Sequence, residues 1–236
     1  MTYRGLIHFH SNQSYDSILN IQDIVKKAVD NHWNLLILTD HNSINGSIKL
    51  KKEIEKQGLN IECPIAVEYN TEFGDIIVIG VETQFDDLSF NYIYNETKKK
   101  GGLLLLPHPY KGHKNIEFIA SKVDLIEVFN SRIEDKYNEL AVALALKYNK
   151  NVYYSSDAHL YNELNSVVVE FKRHDTLKDS LLCSTINVLS KSKTTYFNIF
   201  YSQLIKGVKT KCVKIALLNL IKMFINLLKN KLFKYV

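Results

Sequence analysis

The chain has 236 residues, 46% hydrophobic and 23% charged, an ordinary balance for a soluble globular protein and enough for one large domain or a domain with an extension. Its three cysteines, Cys63, Cys183 and Cys212, are odd in number and far apart; they suggest neither a disulfide framework nor a thiolate zinc site, and they fit a reducing, cytoplasmic setting. Of the net +5, residues 180–236 contribute +10, ten lysines with no acidic residue, which leaves −5 on residues 1–179.

The opening "MTYRGLIHFHS" lacks the cationic start and long apolar stretch of a secretory signal, and no apolar run approaches the roughly 20 residues of a spanning helix. A strand is expected over 5–9 and a helix over 21–32. A strand at 35–39 precedes a helix at 44–56, which ends at Gly58. Strands follow at 65–67 and 75–81, then a helix at 88–100 stopped by Gly101-Gly102. The chain continues with a strand at 103–106, a short helix near 116–122, a strand at 125–129 and a helix at 133–148. Strands at 152–155 and 167–171 complete the series. Apolar strands separated by helices read as parallel strands buried on both faces. That alternation favours an α/β barrel or a doubly wound sheet.

Five apolar runs end in residues of ligand type. "IHFHSNQSYDS" supplies His8 and His10, "LTDHNS" Asp40 and His41, and "PIAVEYN" Glu68. "LLLLPHPY" supplies His108, and "YYSSDAHL" supplies Asp157 and His159. In an α/β barrel the C-terminal strand ends open on one face, where such residues converge. Imidazoles and carboxylates without a thiol suit Zn, Mn or Fe, and the ligands exceed what one ion needs, so two or three divalent ions are expected. His-x-His on a strand turns both imidazoles to one side. Each piece alone has a plain structural account. Asp40 or Asp157 would cap a helix, Glu68 would pair with a lysine, and His108 between Pro107 and Pro109 would mark a rigid turn. Their conjunction at five strand ends favours the metal reading. His32 and His174 read as surface or packing residues. His113, in "PYKGHKN", is a candidate substrate contact near the site mouth.

As an ordered series, "HFHSNQSYDS", "LTDHNS", "AVEYN", "LPHPY", "IEVFNSR" and "SSDAH" resemble the PHP family, named for polymerase and histidinol phosphatase, over residues 1–172. The resemblance implies a distorted (β/α)7 barrel with a two- or three-ion site that hydrolyses phosphoesters. Carried over by position, it implies His8, His10, Asp16, His41, Glu68, His108, Asp157 and His159 as metal ligands, with Glu68 as the bridging carboxylate. Glu68, Asp157 and His159 take the catalytic roles. Asp40 would orient its neighbour. Many relatives carry a further His or Cys near "IEVFNSR", where this chain offers Glu127 and Asn130 as supporting groups. Arg132 reads either as a phosphate fork or as a surface helix arginine. Lys111 and His113 are candidate substrate contacts.

The expected organisation is a metal-dependent hydrolase barrel over 1–179 and a basic, helical C-terminal extension over 180–236. In "CVKIALLNLIKMFINLLKNKLFKYV" the polar residues recur every three to five positions, one helical face beside a wide apolar stripe. That helix would close the barrel, pair in a dimer, lie on an anionic membrane or touch nucleic acid. The leading function is hydrolysis of a small phosphorylated substrate by a metal-activated water. The alternatives are a nuclease on single-stranded nucleic acid, a capsule-type protein-tyrosine phosphatase, and a membrane-associated metal-binding protein without activity. The expected location is cytoplasmic, with a peripheral place at the membrane if the tail binds lipid.

Overall fold

Buried apolar runs become strands, and a change of strand direction decides which residues meet. The computed structural model describes residues 1–232 and the side chains of residues 1–228. Of the basic tail, the side chains of Lys229, Lys231 and Lys234 therefore lie outside the described residues.

One sheet holds β1 (Thr2–Ile7), β2 (Leu35–Ile37), β8 (Val167–Lys172) and β9 (Asn187–Lys191), in the order β2-β1-β8-β9. The other holds β3 (Ala66–Thr71), β4 (Gly74–Ile79), β5 (Leu103–Leu106), β6 (Leu125–Asn130) and β7 (Asn151–Ser155), in that order. Around them lie α1 (Ile21–Asp30), α2 (Asn45–Lys56), α3 (Phe90–Lys99), α4 (Ile116–Lys122) and α5 (Asp135–Lys147). The chain ends with α6 (Leu177–Cys183), α7 (Tyr196–Lys209) and α8 (Val213–Leu232).

The all-parallel expectation is corrected. β1/β2, β5/β6 and β6/β7 are parallel, whereas β3/β4, β4/β5, β1/β8 and β8/β9 are antiparallel. The cause is local: Thr71 pairs with Gly74, whose φ of +117° permits the tight β3–β4 reversal. The sheets do not close into one barrel. β8 occupies the free edge of β1 over residues 2–5, and only beyond it does Phe9 bridge to Ala158. A second isolated bridge joins His41 to Glu68. The strand bridges between the two sheets thus lie at one end, the end that carries the expected ligands.

Alternation along the strands sorts the apolar residues into layers. Ile7, Ile37, Ile77, Leu105, Leu125 and Tyr153 pack between the sheets. Val78, Leu104, Leu106 and Ile126 turn outward under α3, α4 and α5, packed with Phe90, Ile93, Ile119 and Leu144. Leu36 and Leu38 pack with Ile24, Val25 and Leu50 of α1 and α2. The expected boundary at 179 falls inside α6, and β9 extends the first sheet along β8. α7 and α8 form a helical hairpin.

Candidate metal centre

Backbone hydrogen bonds draw the strand ends together. His8 N donates to Ile37 O at 3.1 Å, Asp157 N to His8 O at 3.1 Å, His10 N to Ala158 O at 2.9 Å, and Glu68 N to Asp40 O at 3.2 Å. Three residues there adopt left-handed backbone without being glycine: His8 (φ 62°), His108 (φ 26°) and Asp157 (φ 50°). Such conformations cost on the order of 1–3 kcal/mol each and persist where the surroundings enforce them.

The eight expected ligands converge. Glu68, 1% exposed, faces two groups at once. Its Oε1 lies 3.2 Å from His108 Nε2 and 3.5 Å from His8 Nε2. Its Oε2 lies 3.1 Å from His41 Nδ1 and 3.4 Å from His10 Nε2. Asp157 Oδ1 sits 3.2 Å from His10 Nε2 and 3.5 Å from His8 Nε2. Asp16 Oδ2 lies 3.3 Å from His41 Nε2 and 3.4 Å from His159 Nε2. Ligand atoms lie within 4.8 Å of one another in the sets His10–His41–His159, His8–His108–Asp157, His8–His10–Glu68 and Glu68–Asp75–His108.

Supporting groups set which nitrogen each imidazole offers. Glu127 Oε1 lies 2.9 Å from His8 Nδ1 and accepts its proton, which leaves Nε2 for the centre. Glu127 Oε2 accepts from His108 N at 2.6 Å and from Asn130 Nδ2 at 2.9 Å; the same amide reaches Asp157 Oδ2 at 3.2 Å. Asp40 acts through serines. It accepts from Ser11 N (2.7 Å), Ser11 Oγ (2.6 Å) and Ser14 Oγ (2.6 Å). Because the Ser14 proton goes to Asp40, its oxygen accepts from His10 Nδ1 at 3.4 Å. Gly46 admits Asp40 to this place, since a Cβ there would lie 1.7 Å from Asp40 Oδ2.

Buried in one space, these groups perturb each other strongly. Burial pulls the His8 imidazole down, but the carboxylates of Asp157, Glu127 and Glu68 push it well above its ordinary value. His41 is likewise raised by Glu68 and Asp16 against its burial. Burial also opposes Glu68 in the raising of His108, which reaches about 9. Burial raises Glu68 and Asp157, yet neighbouring imidazoles, His8 foremost, hold both well below the usual carboxylate range. His10 is lowered, by burial and by His159 and His41. Burial pushes the Cys63 thiol up to about 12, and it packs under α2, apart from the centre.

The set fits divalent cations. His8 Nε2, His10 Nε2, His108 Nδ1, Glu68 Oε2 and Asp16 Oδ1 are buried without a hydrogen-bond partner. Imidazoles and carboxylates with such atoms form a donor set for divalent metal ions.

Of the expected substrate contacts, Arg132 and Lys111 line the cavity beside the expected ligands, whereas His113 is tied to the β3–β4 turn. The Arg132 guanidinium, 6% exposed, pairs with Glu163 Oε1 at 2.5 Å and donates to Ser202 Oγ. Its charge is met by protein and its side chain is buried, which corrects the surface reading, while the residue still lines the cavity. His113 holds the β3–β4 turn: Nε2 lies 2.8 Å from Asp75 O and Nδ1 3.1 Å from Lys111 O, with the ring against Gly74. Lys111 lines the cavity, its pKa lowered by burial.

Several residues were missed by sequence reasoning. Asp75 joins Glu68 and His108 from the start of β4. Glu163 is fully buried; its Oε2 accepts from His159 N at 2.9 Å and Leu160 N at 3.0 Å. From the tail, Ile199, Gln203 and Lys206 of α7 line a cavity of about 340 Å³, together with Tyr15, Lys111, Arg132 and the expected ligands Asp16, His41, Glu68, His108, Asp157 and His159. Tyr15 stacks on His41 with centroids 4.7 Å apart, and Lys206 Nζ lies 4.5 Å from the Tyr15 ring.

The geometry has counterparts among known proteins. The chain is 29% identical over 153 residues to an uncharacterized protein of Methanocaldococcus jannaschii, covering 61% of this chain and 86% of that one. Its fold is similar to a two-domain Bacteroides vulgatus protein containing a predicted PHP-like metal-dependent phosphoesterase (TM-score 0.63, 16% identity), over 79% of this chain and 65% of that one. The chain thus spans about two thirds of that neighbour. PsfC from Pseudomonas syringae also shares the fold, at TM-score 0.58 and 14% identity, over 89% of this chain and 99% of that one. The PHP domain family model matches residues 7–200, a stretch that runs from just before His8 into α7, and the chain belongs to the PHP domain family.

Proposed function

We propose that this chain hydrolyses a phosphoester of a small substrate with a water activated at a centre of two or three divalent ions. The observation that carries the reading is the set of buried, unpartnered lone pairs on His8, His10, His108, Glu68 and Asp16. Left bare, each such group costs roughly 1–3 kcal/mol; a shared cation removes that cost. Membership of the PHP family, and the phosphoesterase description of a structural neighbour, support the same chemistry. When bound, the ions would supply Lewis acidity, lowering the pKa of water and taking up charge on phosphoryl oxygens.

The protein's own groups supply position and proton transfer. Glu68 faces both ligand groups with its two oxygens, as a bridging carboxylate must. Asp157, fixed by Asn130 at 3.2 Å, serves as the base that takes the proton of the attacking water. Asp157 can pass that proton on to the leaving oxygen, while His159, its Nδ1 donating to the Asp157 carbonyl at 2.7 Å, turns Nε2 toward Asp16 as one of the expected ligands. Lys111 and Lys206 put positive charge on the cavity wall, suited to an anionic ester. A volume of about 340 Å³ fits a small phosphorylated molecule better than a polymer.

The test couples metal analysis of the purified protein to a phosphate-release screen over sugar phosphates, nucleotides, histidinol phosphate and short oligonucleotides. Release from a small ester that disappears with chelation and with Glu68→Gln is the expected result. Absence of any bound divalent ion, or full activity in Glu68→Gln, overturns the reading.

A further inference from the structure

The C-terminal hairpin is built inside out. An ordinary surface helix turns its apolar stripe to the core and its polar face to water. On α8 the one fully described residue that is buried is polar: Asn219, 8% exposed, with Nδ2 donating to Ile215 O at 2.9 Å. The two helices approach closely where Gly207 meets Ala216; a Cβ on Gly207 would lie 2.4 Å from the Ala216 nitrogen. The opposite arc of α8 is apolar and open. Leu217, Leu218, Leu220, Ile221, Phe224 and Leu228 are each between 46% and 63% exposed. A contiguous apolar arc of this kind marks an interaction surface.

Charge selects the occupant. No acidic residue follows Asp179, while lysines stand at 206, 209, 211, 214 and 222 on and between α7 and α8. A second copy would bring an equally cationic hairpin against the first, at an electrostatic cost. An anionic lipid surface offers the opposite charge together with an apolar layer. No helix among the described residues is long and apolar enough to cross a membrane, so α8 would lie along the surface. We infer that the α7–α8 hairpin seats the protein on an anionic lipid surface, with the outer arc of α8 at the acyl boundary and its lysines among the headgroups. Residues 1–179, at −5, would be held off that surface. Because α7 also lines the cavity through Ile199, Gln203 and Lys206, the seat adjoins the proposed active site.

The test sediments full-length protein with vesicles of phosphatidylcholine, with and without phosphatidylglycerol, at low and high salt. Light scattering on the same samples gives the oligomeric state. Binding is expected only with phosphatidylglycerol, and it should weaken as salt rises. Lys214→Gln, at an exposed position, should weaken it about fivefold. Phe224→Asp should abolish it while metal content and melting temperature stay unchanged. If Phe224→Asp disturbs folding, Lys214→Gln and the salt series decide the question. No binding, or equal binding to neutral vesicles, overturns the inference. So does a dimer that does not bind vesicles and that Phe224→Asp splits, which would assign the arc to self-association. Vesicle binding is read without reference to hydrolysis, so its failure leaves the proposed chemistry standing.

Discussion

Glu127 holds His8 by one oxygen and the His108 backbone by the other, at 2.9 and 2.6 Å. One fully buried carboxylate therefore sets the direction of two proposed ligands at two different strand ends. Glu127→Ala should weaken divalent-metal binding about 10- to 100-fold, the usual effect of losing such a partner. Calorimetric titration of the metal-free variant checks this. An unchanged affinity would mean that packing alone orients His8.

Glu68→Ala should be more severe, because both carboxylate oxygens face imidazoles. Bound metal, counted by elemental analysis, should fall along with hydrolysis. In the metal-free protein the variant leaves His8, His41 and His108 without the partner they share, so its thermal stability should also drop. A variant that keeps full metal content would show that Glu68 is not shared between ions.

The perturbed imidazoles give metal-free and metal-loaded protein opposite pH dependences. His8, His41 and His108 are raised, His108 to about 9. Their stabilisation of the metal-free fold is complete below the unfolded value of about 6.5 and is lost as pH rises through the folded values. The depressed Glu68 and Asp157 contribute above the unfolded carboxylate value of about 4, and their share is lost as pH falls. The melting temperature of chelated protein should therefore fall between about pH 6.5 and 9. Metal binding must displace the imidazole protons, so metal-loaded protein should gain stability over the same range. Melting curves with and without chelator decide; a flat chelated curve would remove the ion pairs from the account.

Lys209 reaches back from α7 to the loop that carries Asp16. Its Nζ donates to Asn12 O at 2.9 Å, Ser14 O at 2.9 Å and Ser17 O at 2.7 Å. Lys209→Met leaves those carbonyls without their donor and should cost on the order of 1–3 kcal/mol. The loss should be felt most in metal held by Asp16, His41 and His159. Ending the chain at residue 179 should go further, because it removes Thr194 and Ser202 from Glu163 and Arg132. Denaturation midpoints and metal stoichiometry of both variants test this.

Much of the centre was legible in the sequence because each apolar run stops at a His, Asp or Glu. That reading assumes strands that run toward the site. β4 runs away from it, so Asp75, at its start, was hidden; the "EFGD" turn was the available signal. β9 gave no apolar run, since three of its five side chains face water. The partners of Arg132 lie 31 and 70 residues ahead of it, and no local pattern announces a buried ion pair at that distance. The lysines of α7 counted only toward the basic charge of the tail, because spacing within a helix says nothing of which loop it crosses. Barrel closure was expected from strand–helix alternation and from the family resemblance, whereas β8 settles the outcome by taking the edge that closure needs.

The left-handed backbone at His8, His108 and Asp157 has a consequence for how this family member can decay. Glycine adopts that conformation freely, and replacing a strained residue by glycine relieves the strain while deleting the ligand. His108→Gly should fold more stably than His108→Ala, by about 1 kcal/mol. At these three positions glycine is therefore the replacement that costs the fold least. A lineage released from selection for catalysis would drift toward an inert relative that keeps the fold, with glycine where the imidazoles and Asp157 now stand.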